Sequence, residues 1–159
     1  MTPKQHCDIF VASVPDGHGA RHLAFCEKGN FALSVNELKS TLTLFKYRDG
    51  CFEPLSTVSA LPEEYKGISE AAAIRWEKDG IFVSNRGANS VTEFKFDGKA
   101  LSLVRSIPSY GNRPRDIYIK DNFIFAANER SDNLSIIHKE SGQLLNSVNI
   151  IAPLCVLAI

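Results

Sequence analysis

Arg21 and His22 open the stretch RHLAF, and Glu37 follows the apolar run FALSVN; these are residue types suited to acid–base chemistry. A carboxylate beside guanidinium groups can orient or deprotonate water, while a positive charge stabilises an oxyanion as it develops. Two more arginines stand at comparable points downstream, Arg86 after IFVSN and Arg115 in RPRDIYI, and a second carboxylate, Glu129, follows FAAN. These residues are far apart along the chain, so only a repeating architecture would gather them at one place.

The sequence contains such a repeat. FALSVNELKSTLTLFKY, IFVSNRGANSVTEFKF and FIFAANERSDNLSIIHK align on Asn36, Asn85 and Asn128, which are 49 and 43 residues apart. Each copy has a β-rich run, an Asn followed by a charged residue, and a second alternating run. A short apolar segment precedes each copy (23–25, 73–76, 117–119) and a fourth strand-like run follows it (51–58, 101–107, 144–150). Turn signals such as Asp49-Gly50, Asp97-Gly98 and Ser141-Gly142 separate the runs, as hairpins require. PEEYKGISEAAA, the best helical candidate, is interrupted by Gly67 and reads as a long loop leading into a strand.

Four-stranded antiparallel units at this period predict an all-β fold, a β-propeller. Blades are expected over 20–58, 71–107 and 113–150, with lone flanking strands near 8–14 and 154–158. Three blades cannot close a ring that typically needs four to eight, so a partial propeller is expected, one single domain over 1–159. In this arrangement the loop leading into each innermost strand and the loop between its second and third strands share one rim of the central channel. Arg21, His22 and Arg115 fall in the first loop class, and Glu37, Arg86 and Glu129 in the second. Asn36 and Asn85 either cap these turns or contact substrate.

Composition bounds the partners. The 159 residues carry 18 basic and 18 acidic side chains, for no formal net charge, with 44% hydrophobic and 23% charged residues. That balance gives no field for nucleic acid or an anionic membrane, so any anion site is local. The N-terminus lacks the apolar core of a signal peptide, and no apolar run reaches the ~18 residues of a membrane span, which reads as cytoplasmic. Cys7, Cys26, Cys51 and Cys155 show no CxxC spacing; free buried thiols are expected, with no metal site and no cofactor.

GHGARHLAF, FALSVNELKSTLTLFKY, AAAIRWEKDGIFVSNRGANSV, RPRDIYI and AANERSDNLSII closely resemble the lactonase family of seven-bladed propellers, which includes 6-phosphogluconolactonase and carboxy-muconate lactonizing enzyme. The resemblance runs from about residue 8 to the end and covers the C-terminal half of such a protein. It implies a site at the channel mouth in which Arg21, Glu37 and Arg86 match the family's arginines and glutamate. Ala20 replaces the proline usual before Arg-His, and the family's site histidine belongs to an N-terminal motif with no counterpart here.

On that resemblance the expected reaction is hydrolysis of a phosphorylated sugar lactone, 6-phosphogluconolactone, in the pentose phosphate pathway. Glu37 would handle the water, Arg21 or Arg86 the oxyanion, and Arg115 the substrate's phosphate or carboxylate, with His22, Asn36 and Asn85 as further substrate contacts. Two other readings stand beside it: a muconate cycloisomerase, which moves a proton to carbon, and a non-catalytic blade fragment acting as an interaction module. The expected partners are the small sugar-lactone phosphate, and either a missing N-terminal half or a second copy joined through the open edges.

Overall fold

The protein is described by a computed structural model covering residues 12–157. Among these residues there is no helix; twelve strands form three separate four-stranded antiparallel sheets. The first sheet is β1 (Ala20–Phe25), β2 (Phe31–Asn36), β3 (Thr41–Arg48) and β4 (Cys51–Ser59). The second is β5 (Glu70–Glu77), β6 (Gly80–Arg86), β7 (Ser90–Phe96) and β8 (Leu101–Pro108). The third is β9 (Pro114–Lys120), β10 (Phe123–Asn128), β11 (Asn133–His138) and β12 (Leu144–Asn149). Each sheet is an up-and-down meander, and β1, β5 and β9 lie side by side as the innermost strands. This is a partial β-propeller of three blades. Residues 61–69 run as turns and bends into β5, as the interrupted helical pattern anticipates.

Local chemistry explains the hairpins. The β3–β4 connection is the two-residue turn Asp49-Gly50, with φ of 51° and 86°, the left-handed pair whose twist matches that of the strands it joins. Glycine supplies the second angle without steric cost.

Packing between blades follows the two-residue period of the strands. Every residue of β6 is buried, because blade 2 has a neighbour on both faces. Ile81 and Val83, with Ile74 of the same blade, point toward blade 1, where they join Leu33, Val35, Leu42 and Leu44. Phe82 points the other way, into a cluster with Ile117, Ile119, Ile124 and Ile137 of blade 3. The outer faces are less covered: Leu23, Phe25 and Leu55 on blade 1 are exposed, as are Leu144, Leu145 and Val148 on blade 3. Phe25, Tyr47 and Phe52 pack against one another on that open face of blade 1.

Two expectations are corrected here, and a third lies mostly outside the described residues. No strand forms at 153–157, and 158 lies outside the described residues; of the flanking strand expected at 8–14, residues 8–11 lie outside them and 12–14 belong to no sheet. The C-terminal segment is tied instead by a side chain, the Val156 N–H donating to Asp116 Oδ2 at 3.0 Å. The cysteines are not all free and buried: Cys26 is half-buried, Cys155 is exposed and Cys51 is disulfide-bonded, while Cys7 lies outside the described residues. Cys51 opens the outermost strand of its blade and is half-buried.

Candidate active site

The aligned asparagines share one structural role. Asn36 and Asn128 end the second strand of their blades, Asn85 stands one residue before the end of β6, and all three are wholly buried. Each amide donates across the hairpin to the hydroxyl seven positions later: Thr43 (2.8 Å), Thr92 (2.9 Å) and Ser135 (2.9 Å). Asn85 also donates to Ala60 O and Asn128 to Ser109 O, each in the segment that follows the preceding blade. The structure therefore places Asn36 and Asn85 beneath the rim, in fixed hydrogen bonds, away from the open cleft expected of substrate contacts.

Above each asparagine the ladder is interrupted, and the interruption aims a side chain. Arg21 lies at an irregularity between Ala20 and His22, with no partner in the β1–β2 register, and Arg115 lies at the same point in β9. Bulges of this kind turn a residue out of the alternating pattern. The equivalent irregularity in β5, between Ala71 and Ile74, includes Ala72, whose carbonyl accepts from Arg21 Nη1 at 2.7 Å. One blade thus presents an arginine and the next a carbonyl to hold it.

Glu37, in the turn after β2, meets arginines from two blades. Its Oε1 accepts from Arg86 Nη2, and its Oε2 lies 3.7 Å from Arg21 Nε. The Arg86 side chain is 4% exposed and that of Glu37 32%, so the guanidinium forms the floor and the carboxylate keeps a face to solvent. Arg21 also donates to His22 Nε2 at 3.0 Å, which requires that nitrogen to be unprotonated. His22 keeps one flank open, yet the protein around its inner side lowers its pKa, and the Arg21 charge lowers it further. Burial, and then Arg86, likewise lower the pKa of Arg21, and Arg115 adds to the effect, which puts Arg115 in the same electrostatic neighbourhood.

Two further residues complete the array, and neither is flagged by the sequence. Glu70, the first residue of β5, lies 3.8 Å from Arg86 Nη2 and accepts from Arg113 Nη2 at 2.7 Å. That bond to Arg113, followed by the charges of Arg86 and Arg113, holds the Glu70 carboxyl below its usual pKa despite partial desolvation. Gly87 helps to place it: at φ 109° its bare Cα sits where a Cβ would come within 2.3 Å of Ile68 O, so the lead-in to β5 presses against the Arg86-Gly87 turn. Ser69 Oγ fastens the contact by donating to Arg86 O at 3.0 Å. The blade register relates Gly19, Glu70 and Arg113, each one residue before the partner of an aligned asparagine (Ala20, Ala71 and Pro114), so reading that position is the signal that finds them.

Arg115 pairs with Glu129 at 3.4 Å, at the edge of the cluster, and Asp116 pairs with Arg75 at 2.7 Å. Arg21, Arg86, Arg113 and Arg115 thus face Glu37, Glu70 and Glu129, one positive charge in excess. These named groups give the rim a local positive excess on a chain with no formal net charge. A separate concavity of about 560 Å³ lies at the opposite ends of blades 1 and 2, floored by Phe31, Trp76 and Phe96, and holds none of these residues. Among the described residues no three His, Cys, Asp or Glu side chains converge as metal ligands would.

Comparison with known proteins fits this geometry. The family described as "Lactonase, 7-bladed beta-propeller" matches residues 4–158. The chain is 38% identical over 138 residues to the uncharacterized protein YwcC of Lactococcus lactis and 36% identical to an uncharacterized protein of Staphylococcus aureus. It spans about 40% of the length of these curated relatives while they match 80% and 81% of the chain. Among solved structures it resembles the periplasmic gluconolactonase of Pseudomonas aeruginosa (TM-score 0.82, 30% identity, 89% of this chain and 43% of that one). It also resembles a proposed 6-phosphogluconolactonase of Bacteroides fragilis (TM-score 0.77, 27% identity, 87% of this chain and 41% of that one). With the blades, their register and the match over nearly its whole length in hand, the chain belongs to the lactonase family of seven-bladed β-propellers.

Proposed function

We propose that this rim serves hydrolysis of a sugar lactone, with 6-phosphogluconolactone as substrate and 6-phosphogluconate as product, the conversion needed in the pentose phosphate pathway. The observation that carries the reading is the Glu37 carboxylate, held between Arg21 and Arg86 and open to solvent on its remaining side. Glu37 accepts a proton from water as the oxygen adds to the lactone carbonyl. Arg21 faces the oxyanion of the tetrahedral intermediate. The ring C–O bond then breaks, Glu37 returns its proton to the departing ring oxygen, and the open carboxylic acid so formed releases its remaining acidic proton to solvent and leaves as a carboxylate.

The contacts divide the arginines. Arg86 is buried between Glu37 and Glu70, which suits positioning of the base. Arg21 is more accessible, and neutral His22 and the Ala72 carbonyl orient it, which suits contact with substrate. The anionic character of the substrate is matched by the surplus arginine at the rim. Names carried by the two solved relatives, a gluconolactonase and a proposed 6-phosphogluconolactonase, support the same class of substrate.

Because the chain spans less than half of its relatives, further blades or a second copy are proposed to complete the cleft. The experiment is to follow 6-phosphogluconolactone hydrolysis above the spontaneous rate, with the chain alone and with a separately expressed N-terminal half from a relative. Turnover that rises on mixing supports the reading, and turnover of a muconate with none of the lactone overturns it. Cytoplasmic placement, expected from the sequence, stays a proposal: the P. aeruginosa relative is periplasmic, and disulfides such as that of Cys51 favour oxidising compartments. Fractionation of expressing cells decides it.

A further inference from the structure

We propose that Arg113 reads the distal anionic group of the substrate and so sets preference for a phosphorylated over an unphosphorylated sugar acid. This rests on the proposed function of the same rim and goes beyond it by naming a specificity residue.

The backbone is the first observation. Arg113 has φ of 58°, the left-handed region uncommon for a branched-out side chain, and it stands immediately before Pro114, whose ring already narrows the choice. A glycine would meet this geometry without strain, yet the position carries an arginine. The surrounding structure holds it there: Arg113 N donates to Asn89 Oδ1 at 2.8 Å, and Arg113 O accepts from Glu129 N at 3.1 Å. Strained conformations fixed in this way concentrate at ligand sites.

The side chain is the second observation. Its Nη2 donates to Glu70, while its Nε is buried with no hydrogen-bond partner, and 24% of the side chain remains exposed. The guanidinium is therefore anchored on one edge; its buried Nε is out of a ligand's reach, and the exposed part of the side chain is what a ligand can meet. Position is the third. Arg86 Nη2 reaches both Glu37 and Glu70, and the same Glu70 oxygen receives Arg113. Through these shared atoms Arg113 is linked to Glu37 across Arg86 and Glu70, so it belongs to the same cluster as the base but is held apart from it by two intervening side chains. Arg115, the other candidate for the phosphate, pairs with Glu129 on its own blade at the edge of the cluster, whereas Arg113 pairs with a carboxylate that Arg86 also approaches, nearer to Glu37 in the contact network.

The test is calorimetric titration with 6-phosphogluconate and with gluconate of the purified chain, supplemented throughout with a separately expressed N-terminal half from a relative, for the native protein, Arg113→Gly, Arg113→Gln and Arg113→Lys, with thermal unfolding of each. The native chain is expected to prefer the phosphorylated acid. Arg113→Gly and Arg113→Gln are expected to lose that preference by roughly tenfold to a hundredfold, the worth of a hydrogen bond to a charged group, and Arg113→Lys to recover part of it. Arg113→Gly is expected to unfold no earlier than Arg113→Gln, since glycine relieves the backbone. Preference retained in both Arg113→Gly and Arg113→Gln overturns the inference while leaving the rim as a sugar-acid site. A native chain that binds neither acid overturns the inference and the proposed function together.

Discussion

Arg86, the last residue of β6 in blade 2, donates to the carboxylate of Glu37, which blade 1 carries in the turn after β2. The guanidinium is almost fully buried and the carboxylate is not, so the two sides of the pair are unequal. Glu37→Ala leaves the buried charge with only Glu70, 3.8 Å away, and is expected to destabilise by about 3 kcal/mol. Arg86→Met removes the buried charge and leaves a carboxylate that water can reach, at about 1–2 kcal/mol. Urea unfolding midpoints measure both; Arg86→Met as the costlier change contradicts the burial argument.

His22 gives a pH dependence of definite sign. Its folded pKa is lowered by burial and by Arg21, so the unfolded chain takes up the proton first as pH falls. The neutral form's contribution to stability is full above the ordinary histidine value of about 6.5 and declines as pH drops below it. Thermal midpoints between pH 8 and pH 5 are expected to fall more steeply for the native protein than for His22→Gln. Parallel curves, or a shallower native curve, contradict the assignment.

The buried asparagines are expected to matter for folding and not for ligand contact. Asn85→Ala and Asn128→Ala each remove ties within a blade and to the segment before it, at about 1–3 kcal/mol, because hydroxyl and carbonyl partners are left unsatisfied. Chemical denaturation checks the cost. A large loss of sugar-acid affinity in an Asn85→Ala protein of native stability returns Asn85 to the cleft.

The open faces of the outer blades predict association. Phe25 (42% exposed) and Leu55 (45%) on blade 1, with Leu145 (51%) on blade 3, form apolar surface that a neighbouring blade would cover. Sedimentation is expected to show concentration-dependent self-association that the pair Phe25→Lys and Leu145→Lys reduces. A monodisperse native monomer contradicts it.

Much of this was readable from the chain. The repeat phase placed Arg21, Glu37, Arg86 and Arg115 at one rim because strand pairing turns equal repeat positions into equal places in space. Glu70 and Arg113 escaped because their shared position holds Gly19, Glu70 and Arg113, three residue types with no common chemistry to align. Asn36 and Asn85 were legible as a repeat but not as buried, since a polar residue beside a charged one reads the same whether it faces cleft or core. The hydroxyl seven residues after each, Thr43, Thr92 and Ser135, was the available sign. The disulfide at Cys51 and the absence of strand structure at 153–157 depend on tertiary placement, which no local pattern encodes.

The decisive measurement is the rate of 6-phosphogluconolactone hydrolysis by the chain supplemented with an N-terminal half from a relative, comparing native protein with Glu37→Gln at matched folded concentration. With Glu37 as the base, the substitution is expected to lower the rate above background by about 10²-fold or more. A Glu37→Gln protein that hydrolyses the lactone at the native rate contradicts the central role of Glu37 and, with it, this rim as the site of the reaction.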